Sequence, residues 1–188
     1  LVLSPGGMKT IAYVGAIRCL LDNGYHIASV SCCSAGSLMG ALLAAGIPIE
    51  VLETRILEIP FSKYIVRKRW GILNLLRYPY AMYRPGSMSA LFRPLSGEDR
   101  DWKMGELAAA TFATIAMDIE NEEVLVYSSI THADMSVEEM LNIATAIPGF
   151  TEPVEKGGRV LLDAVSFSSS PVWLVSKSDP DEPVVVLK

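Results

Sequence analysis

Ser34 stands in the stretch Cys32-Cys33-Ser34-Ala35-Gly36-Ser37, between an extended apolar run and a helical one. A serine on a sharp strand-to-helix turn has its hydroxyl thrust out at the carboxyl end of the strand. An oxyanion formed there faces the free N–H groups and the positive dipole end of the next helix. Such a turn needs small neighbours, because strand and helix approach closely, and Cys32, Ala35 and Gly36 are small. The usual pattern is Gly-x-Ser-x-Gly, with Cys32 here in place of the first glycine. Taken alone, the stretch fits a small residue in a tight corner as well as it fits a nucleophile.

A nucleophilic serine needs a base. The chain has two histidines. His26 begins the strand that leads to Ser34, and eight extended residues span roughly 26 Å, so it belongs at the far end of the sheet. His132 lies in the polar stretch Thr131-His132-Ala133-Asp134 and is expected to face solvent. The order Ser34, His132, Asp163 also departs from the serine, acid, histidine order of α/β-hydrolases. Carboxylates remain. Asp163 closes an apolar strand and is followed by the small residues Ala164 and Ser166. Ligands of parallel α/β sheets bind at the carboxyl ends of strands, where Ser34 and Asp163 would both sit. An aspartate that merely opens a turn would read the same way.

The elements that must position these residues follow from hydrophobic period and punctuation. Residues 1–3 read as a buried strand stopped by Ser4-Pro5-Gly6-Gly7. Ile11, Val14, Ile17 and Leu21 recur at helical spacing up to Asn23-Gly24. Residues 27–33 read as a strand, and Leu38, Leu42 and Ala45 as a helix ended by Gly46 and Pro48. A short helix follows over 50–58. Residues 111–118 and 124–128 read as strands around a polar turn, and Ser136 with Glu139 as a capping box before a helix that Pro148 stops. The stretch 157–163 is a turn and a strand ending in Asp163, and 183–187 is a final strand. The opening order of strand, turn, helix, strand, turn, helix predicts an α/β fold with parallel strands and crossover helices.

Composition narrows the function classes. The 188 residues carry a net charge of -5, with 51% hydrophobic and 20% charged residues, which suits one core-rich domain over 1–188 and argues against nucleic acid as a partner. Three cysteines, two of them adjacent, make no disulfide framework, so a reducing, cytoplasmic compartment is expected. Residues 27–49 carry no charge, but their serines, glycines and proline favour a strand, a turn and a buried helix over a membrane span. The chain opens inside an apolar run and closes on a strand, so truncation at both ends is expected. The segment 60–95 holds seven basic residues, no acid and interleaved aromatics. It reads as a lid touching a lipid surface peripherally, as a solvated helical subdomain, or as a protein–protein surface.

Three segments together resemble the patatin-like phospholipase family. Residues 4–10, Ser-Pro-Gly-Gly-Met-Lys-Thr, are similar to its glycine-rich oxyanion loop. Residues 32–37 are similar to its serine elbow, and Asp163-Ala164-Val165 to its aspartate motif. The resemblance covers most of the chain and is weakest over 60–105, expected to be a lid-like or variable insertion. It implies a three-layer fold with a mostly parallel central sheet flanked by helices. It also implies a serine lipid acyl hydrolase of the phospholipase A kind, acting on a lipid or acyl ester through an acyl-serine. Ser34 would be the nucleophile and Asp163 the base. The main chain of Gly6, Gly7 and Met8 would form the oxyanion hole, and Cys32 and Gly36 would support the elbow. Lys9 keeps a basic position, either fixing the loop or tied to a nearby carbonyl or acid at the helix start. No metal or other cofactor is implied. Pro5, Thr10, Cys32 and Ala164 replace family glycines, which motivates two alternatives. One is a catalytically weak protein that binds lipid or a partner; the other is a generic soluble esterase or thioesterase.

Overall fold

The structure is a computed structural model that describes residues 1–64, 86, 88–175 and 181–188. Among the described residues seven strands form one sheet: β1 Val2–Leu3, β2 Ser29–Cys32, β3 Thr111–Asp118, β4 Glu123–Ser128, β5 Val154–Lys156, β6 Arg159–Asp163 and β7 Val186–Leu187. Five α-helices accompany them among the described residues: α1 Tyr13–Asp22, α2 Gly36–Ala44, α3 Ile49–Glu58, α4 Phe92–Ser96 and α5 Val137–Ala144. The fold is α/β, with a central sheet flanked by helices.

The sheet has two halves. β7, β1, β2 and β3 run parallel to one another, and β4, β5 and β6 join antiparallel. β3 belongs to both halves. Its residues 113–118 pair with β4 on one edge. On the other edge, residues 111–114 pair with β2 and residues 116–118 with β6. β2 and β6 therefore share one edge of β3, end to end.

Alternation along β3 divides the core. Phe112 and Ala116 point into a large cluster that includes Leu3, Ile17, Leu42, Leu52, Phe92 and Leu141. Ile115 points the other way, into a smaller cluster with Cys33 and Ala164. Both faces of β3 are thus covered, which is why its sequence is apolar without a polar face.

The expected elements fall where the sequence places them, except at the final strand and the capping box. The run 27–49 breaks into β2, a turn and α2, and no helix among the described residues is long and apolar enough to cross a membrane. The final strand is two residues long and only partly buried, so it is an edge and not a core strand. The Ser136 hydroxyl accepts the Glu139 N–H, but the Glu139 carboxylate pairs with Lys156 at 2.5 Å, so only one arm of the expected capping box forms. Of the segment 60–95, most lies outside the described residues. Its described aromatics Phe61, Tyr64 and Phe92 pack against the main core, and Arg93 pairs with Glu138 and Asp99.

Candidate active site

The end of β2 and the end of β6 meet on β3. Cys32 lies opposite Thr114, and Asp163 lies opposite Ala116. The chain leaving β2 enters the Ser34 turn just where β6 arrives from the other direction. The sequence expectation was that both residues sit at the carboxyl ends of parallel strands. Asp163 reaches the site on an antiparallel strand instead. Gly157 and Gly158 both take positive φ (59° and 76°), folding β5 back onto β6 as a hairpin, and β6 then pairs antiparallel with β3. The strand β5, with two charged residues in three, carries no apolar period from which it could be read.

Ser34 adopts φ 56°, the left-handed conformation that side chains avoid at about 1–2 kcal/mol. A non-glycine residue held in this way marks a turn determined by its surroundings. The Ser37 N–H returns to the Ser34 carbonyl at 2.8 Å, and the Gly36 N–H to that of Cys33 at 3.1 Å. The Cys33 N–H donates to the Leu3 carbonyl of β1 at 3.1 Å. Ser37 and Thr114 hydroxyls meet at 2.6 Å, and Thr114 also donates to the Cys32 carbonyl at 3.2 Å, tying α2 to β3. At Gly36 a Cβ would lie 2.4 Å from the Leu3 oxygen, so only glycine lets the helix sit this close to β1.

Cys32 explains its own departure from the glycine pattern. Its sulfur lies where a Cβ on Gly40 would come within 2.3 Å. A glycine one turn into the helix leaves the hollow that the larger residue fills. Two of the other departures are also accommodated. Thr10 donates its hydroxyl to the Gly7 carbonyl at 2.8 Å. Ala164 is not in a positive-φ conformation: Ser34 and Glu122 are the two non-glycine residues that are, among the described residues. The strain that a left-handed Ala164 would have brought is absent. Pro5 has no N–H to offer.

The loop after β1 runs beside the elbow. Gly7, at φ 54°, opens a 3-10 helix over Gly7–Ala12, whose first N–H groups have no acceptor within the helix. Two contacts hold this loop. Tyr13 donates its hydroxyl to the Ser4 carbonyl at 3.0 Å, and the Ser4 and Ser170 hydroxyls meet at 2.8 Å. The latter ties the oxyanion loop to the segment that follows Asp163. Lys9 is exposed, and among the described residues its side chain has no hydrogen bond or ion pair.

Asp163 is 2% exposed and Ser34 3%. The Asp163 carboxyl accepts the Val165 N–H on Oδ1 at 2.9 Å, and the Cys33 thiol approaches the same oxygen at 3.8 Å. Oδ2 is buried with no hydrogen-bond partner. Burial pushes the pKa up to about 6, against smaller downward pulls from Ser34, Val165 and Cys33. The serine is thus near enough to act on the carboxyl, yet no hydrogen bond of standard geometry joins them.

Neither histidine competes. His132 stacks on Tyr127 with ring centroids 4.9 Å apart and bonds Thr131 at 2.9 Å. His26 lines a hollow at the opposite end of the sheet with Leu1 and Tyr25. No group of three or more metal-binding side chains exists among the described residues. The interplay of Cys33 with Asp163, and of Ser170 with Ser4, was invisible in the sequence, since each joins residues more than a hundred positions apart.

A family model for patatin-like phospholipase matches residues 1–175. The chain is 25% identical over 193 residues to the uncharacterized protein YqhO of Bacillus subtilis (strain 168), covering 94% of this chain and 66% of YqhO. In fold it resembles VipD of Legionella pneumophila, with a TM-score of 0.62, 17% identity, and coverage of 87% of this chain and 45% of VipD. It also resembles ExoU of Pseudomonas aeruginosa, solved in complex with SpcU, with a TM-score of 0.52, 18% identity, and coverage of 78% of this chain and 38% of that one. The chain spans about two thirds of the length of YqhO and less than half of either structure.

Proposed function

Because the chain belongs to the patatin-like phospholipase family, we propose that it is a serine acyl hydrolase of lipid esters that works through a Ser34–Asp163 dyad. The observation that carries the proposal is a serine in a left-handed turn beside a buried aspartate whose Oδ2 has no partner. Asp163 Oδ2 takes the proton as Ser34 Oγ attacks the ester carbonyl. The oxyanion is held by main-chain N–H groups of Gly6, Gly7 and Met8, which follow β1 beside the elbow. Collapse breaks the ester C–O bond, and protonated Asp163 returns the proton to the departing alcohol or lysolipid. Water then attacks the acyl-serine, again losing its proton to Asp163, and the fatty acid leaves as Ser34 is restored. The site needs no metal for these steps.

A carboxylate can be the base here because burial raises its pKa to about 6. It still ionises at neutral pH, and it holds a proton far better than an exposed aspartate. Thr10, Cys32 and Ala164 are accommodated, which removes three of the four departures that motivate the weak binding reading; Pro5, with no N–H, is the one that still favours it. Peripheral contact with a lipid surface, and a cytoplasmic setting, belong to the same proposal.

Hydrolysis of a phospholipid below and above its micelle threshold tests the function. A jump in rate above the threshold, abolished in Ser34→Ala, is expected. Equal rates on monomeric and micellar esters would point to a soluble esterase or thioesterase, and no hydrolysis of any ester by the folded chain would overturn the proposal.

A further inference from the structure

The geometry points to Cys33 as a positioning residue for Asp163: its thiol holds Oδ1, so that Oδ2 is the oxygen left for Ser34. This rests on the reading of Ser34 and Asp163 as a dyad and adds a role at the variable position of the elbow motif. Cys33 is fully buried, and its side chain faces the small cluster on the Asp163 side of the sheet, with Ile115 and Ala164. Its sulfur lies 3.8 Å from Oδ1, within reach of a sulfur hydrogen bond. The Val165 N–H meets the same oxygen at 2.9 Å. Two donors on one oxygen and none on the other make the carboxyl asymmetric, and the free oxygen is the one a proton must reach.

The thiol suits this place because it stays protonated. Burial, followed by the charge and hydrogen bond of Asp163, pushes its pKa well above the ordinary thiol range. It therefore remains a donor at every pH where Asp163 is ionised. It is also a weak donor, so it orients the carboxylate without robbing it of basicity, as a stronger donor would. The groups facing Asp163 are few. The β2 turn offers Cys33 and Ser34, the following turn offers the Val165 N–H, β3 offers Ala116, and the Ala146 carbonyl after α5 accepts the Asp163 N–H at 2.9 Å. Among the described residues, no lysine, arginine, histidine or second carboxylate acts on it. Burial and these hydrogen-bond donors set its pKa between them.

Two measurements test the assignment. The first is a 13C NMR titration of the Asp163 carboxyl in wild type, Cys33→Ala and Cys33→Ser, each checked for folding by thermal melt. Loss of the donor in Cys33→Ala should raise the midpoint by about half a pH unit, and the hydroxyl in Cys33→Ser should bring it back towards or below wild type. The pH dependence of ester turnover should follow in the same order. Coincident midpoints, a lower midpoint in Cys33→Ala, or the two variants moving alike would overturn the role, since a purely packing residue would change the melt and not the titration. The second needs no variant at position 33. The infrared S–H stretch of the wild type should shift as Asp163 ionises and stay still in Asp163→Asn; a band that never moves would overturn the contact. The titration reads Asp163 whether or not the chain turns over ester. An ordered titration with no hydrolysis would therefore sink the hydrolase reading and leave the positioning role standing.

Discussion

The two halves of the sheet supply the site in different ways. The parallel half delivers Ser34 by backbone geometry: β2 ends, the chain is forced into φ 56°, and α2 begins two residues later. The antiparallel half delivers Asp163 by electrostatics: a hairpin strand carries a carboxylate into a buried position where its pKa rises to about 6. Each half holds an unfavourable state, one conformational and one solvational. Tight packing keeps the first in place, and two donors on one oxygen moderate the second. Function here is concentrated where the fold is locally least comfortable.

That contrast can be broken at several points. The largest effect belongs to the close approach of α2 to its strands. A Gly36→Ala methyl would sit 2.4 Å from a backbone oxygen that cannot step aside. The variant should lose several kcal/mol of stability, about the upper end for overpacking, with loss of Ser34 reactivity; denaturant melts measure the former. Gly40→Ala should lose about 1–3 kcal/mol, because its methyl meets the Cys32 sulfur at 2.3 Å. Cys32→Gly should restore most of that loss in the double variant. A double-mutant cycle with no coupling would refute the idea that Gly40 makes room for Cys32.

Next comes the solvation of Asp163. Its folded pKa of about 6 lies above the ordinary 3.8, so the native state binds the proton more tightly than the unfolded chain. Stability from this group therefore falls as pH rises between those two values, and the full penalty stands above pH 6. Asp163→Asn should abolish turnover yet stabilise the fold at pH 8 by up to about 3 kcal/mol, the size of a shift of about two units. That gain should fade on acidification and be gone at pH 3.5. Paired melts at the two pH values read it directly. The smallest effect concerns the backbone of the elbow. Ser34→Gly should be about 1 kcal/mol more stable than Ser34→Ala, since only glycine relieves the left-handed strain.

The two halves also differ in how much the sequence revealed. The parallel half was legible: apolar runs, glycine punctuation and helical period locate β1, α1, β2 and α2 almost residue by residue. His26 could be dismissed because distance along a strand follows from residue count alone. The antiparallel half was not. Val154-Glu155-Lys156 lacks an alternating pattern, and the direction in which β6 enters the sheet depends on pairing with β3, forty-odd positions away. The aspartate could be named and its route could not. Cys33 was hidden for another reason. A buried cysteine reads as a small apolar residue, and only the arrival of Oδ1 at 3.8 Å gives its proton somewhere to point. Cys32 looked like a defect in the elbow because its compensation, Gly40, lies outside the motif.

The most direct test of the dyad is mass-mapped labelling by a fluorophosphonate, followed as a rate against pH in wild type and Asp163→Asn. A dyad with Asp163 as base predicts labelling at Ser34 that rises through pH 6, where the carboxylate ionises, and a much slower rate without that step in Asp163→Asn. Labelling of Asp163→Asn at the wild-type rate, or no labelling of Ser34 in the folded wild type, would contradict it.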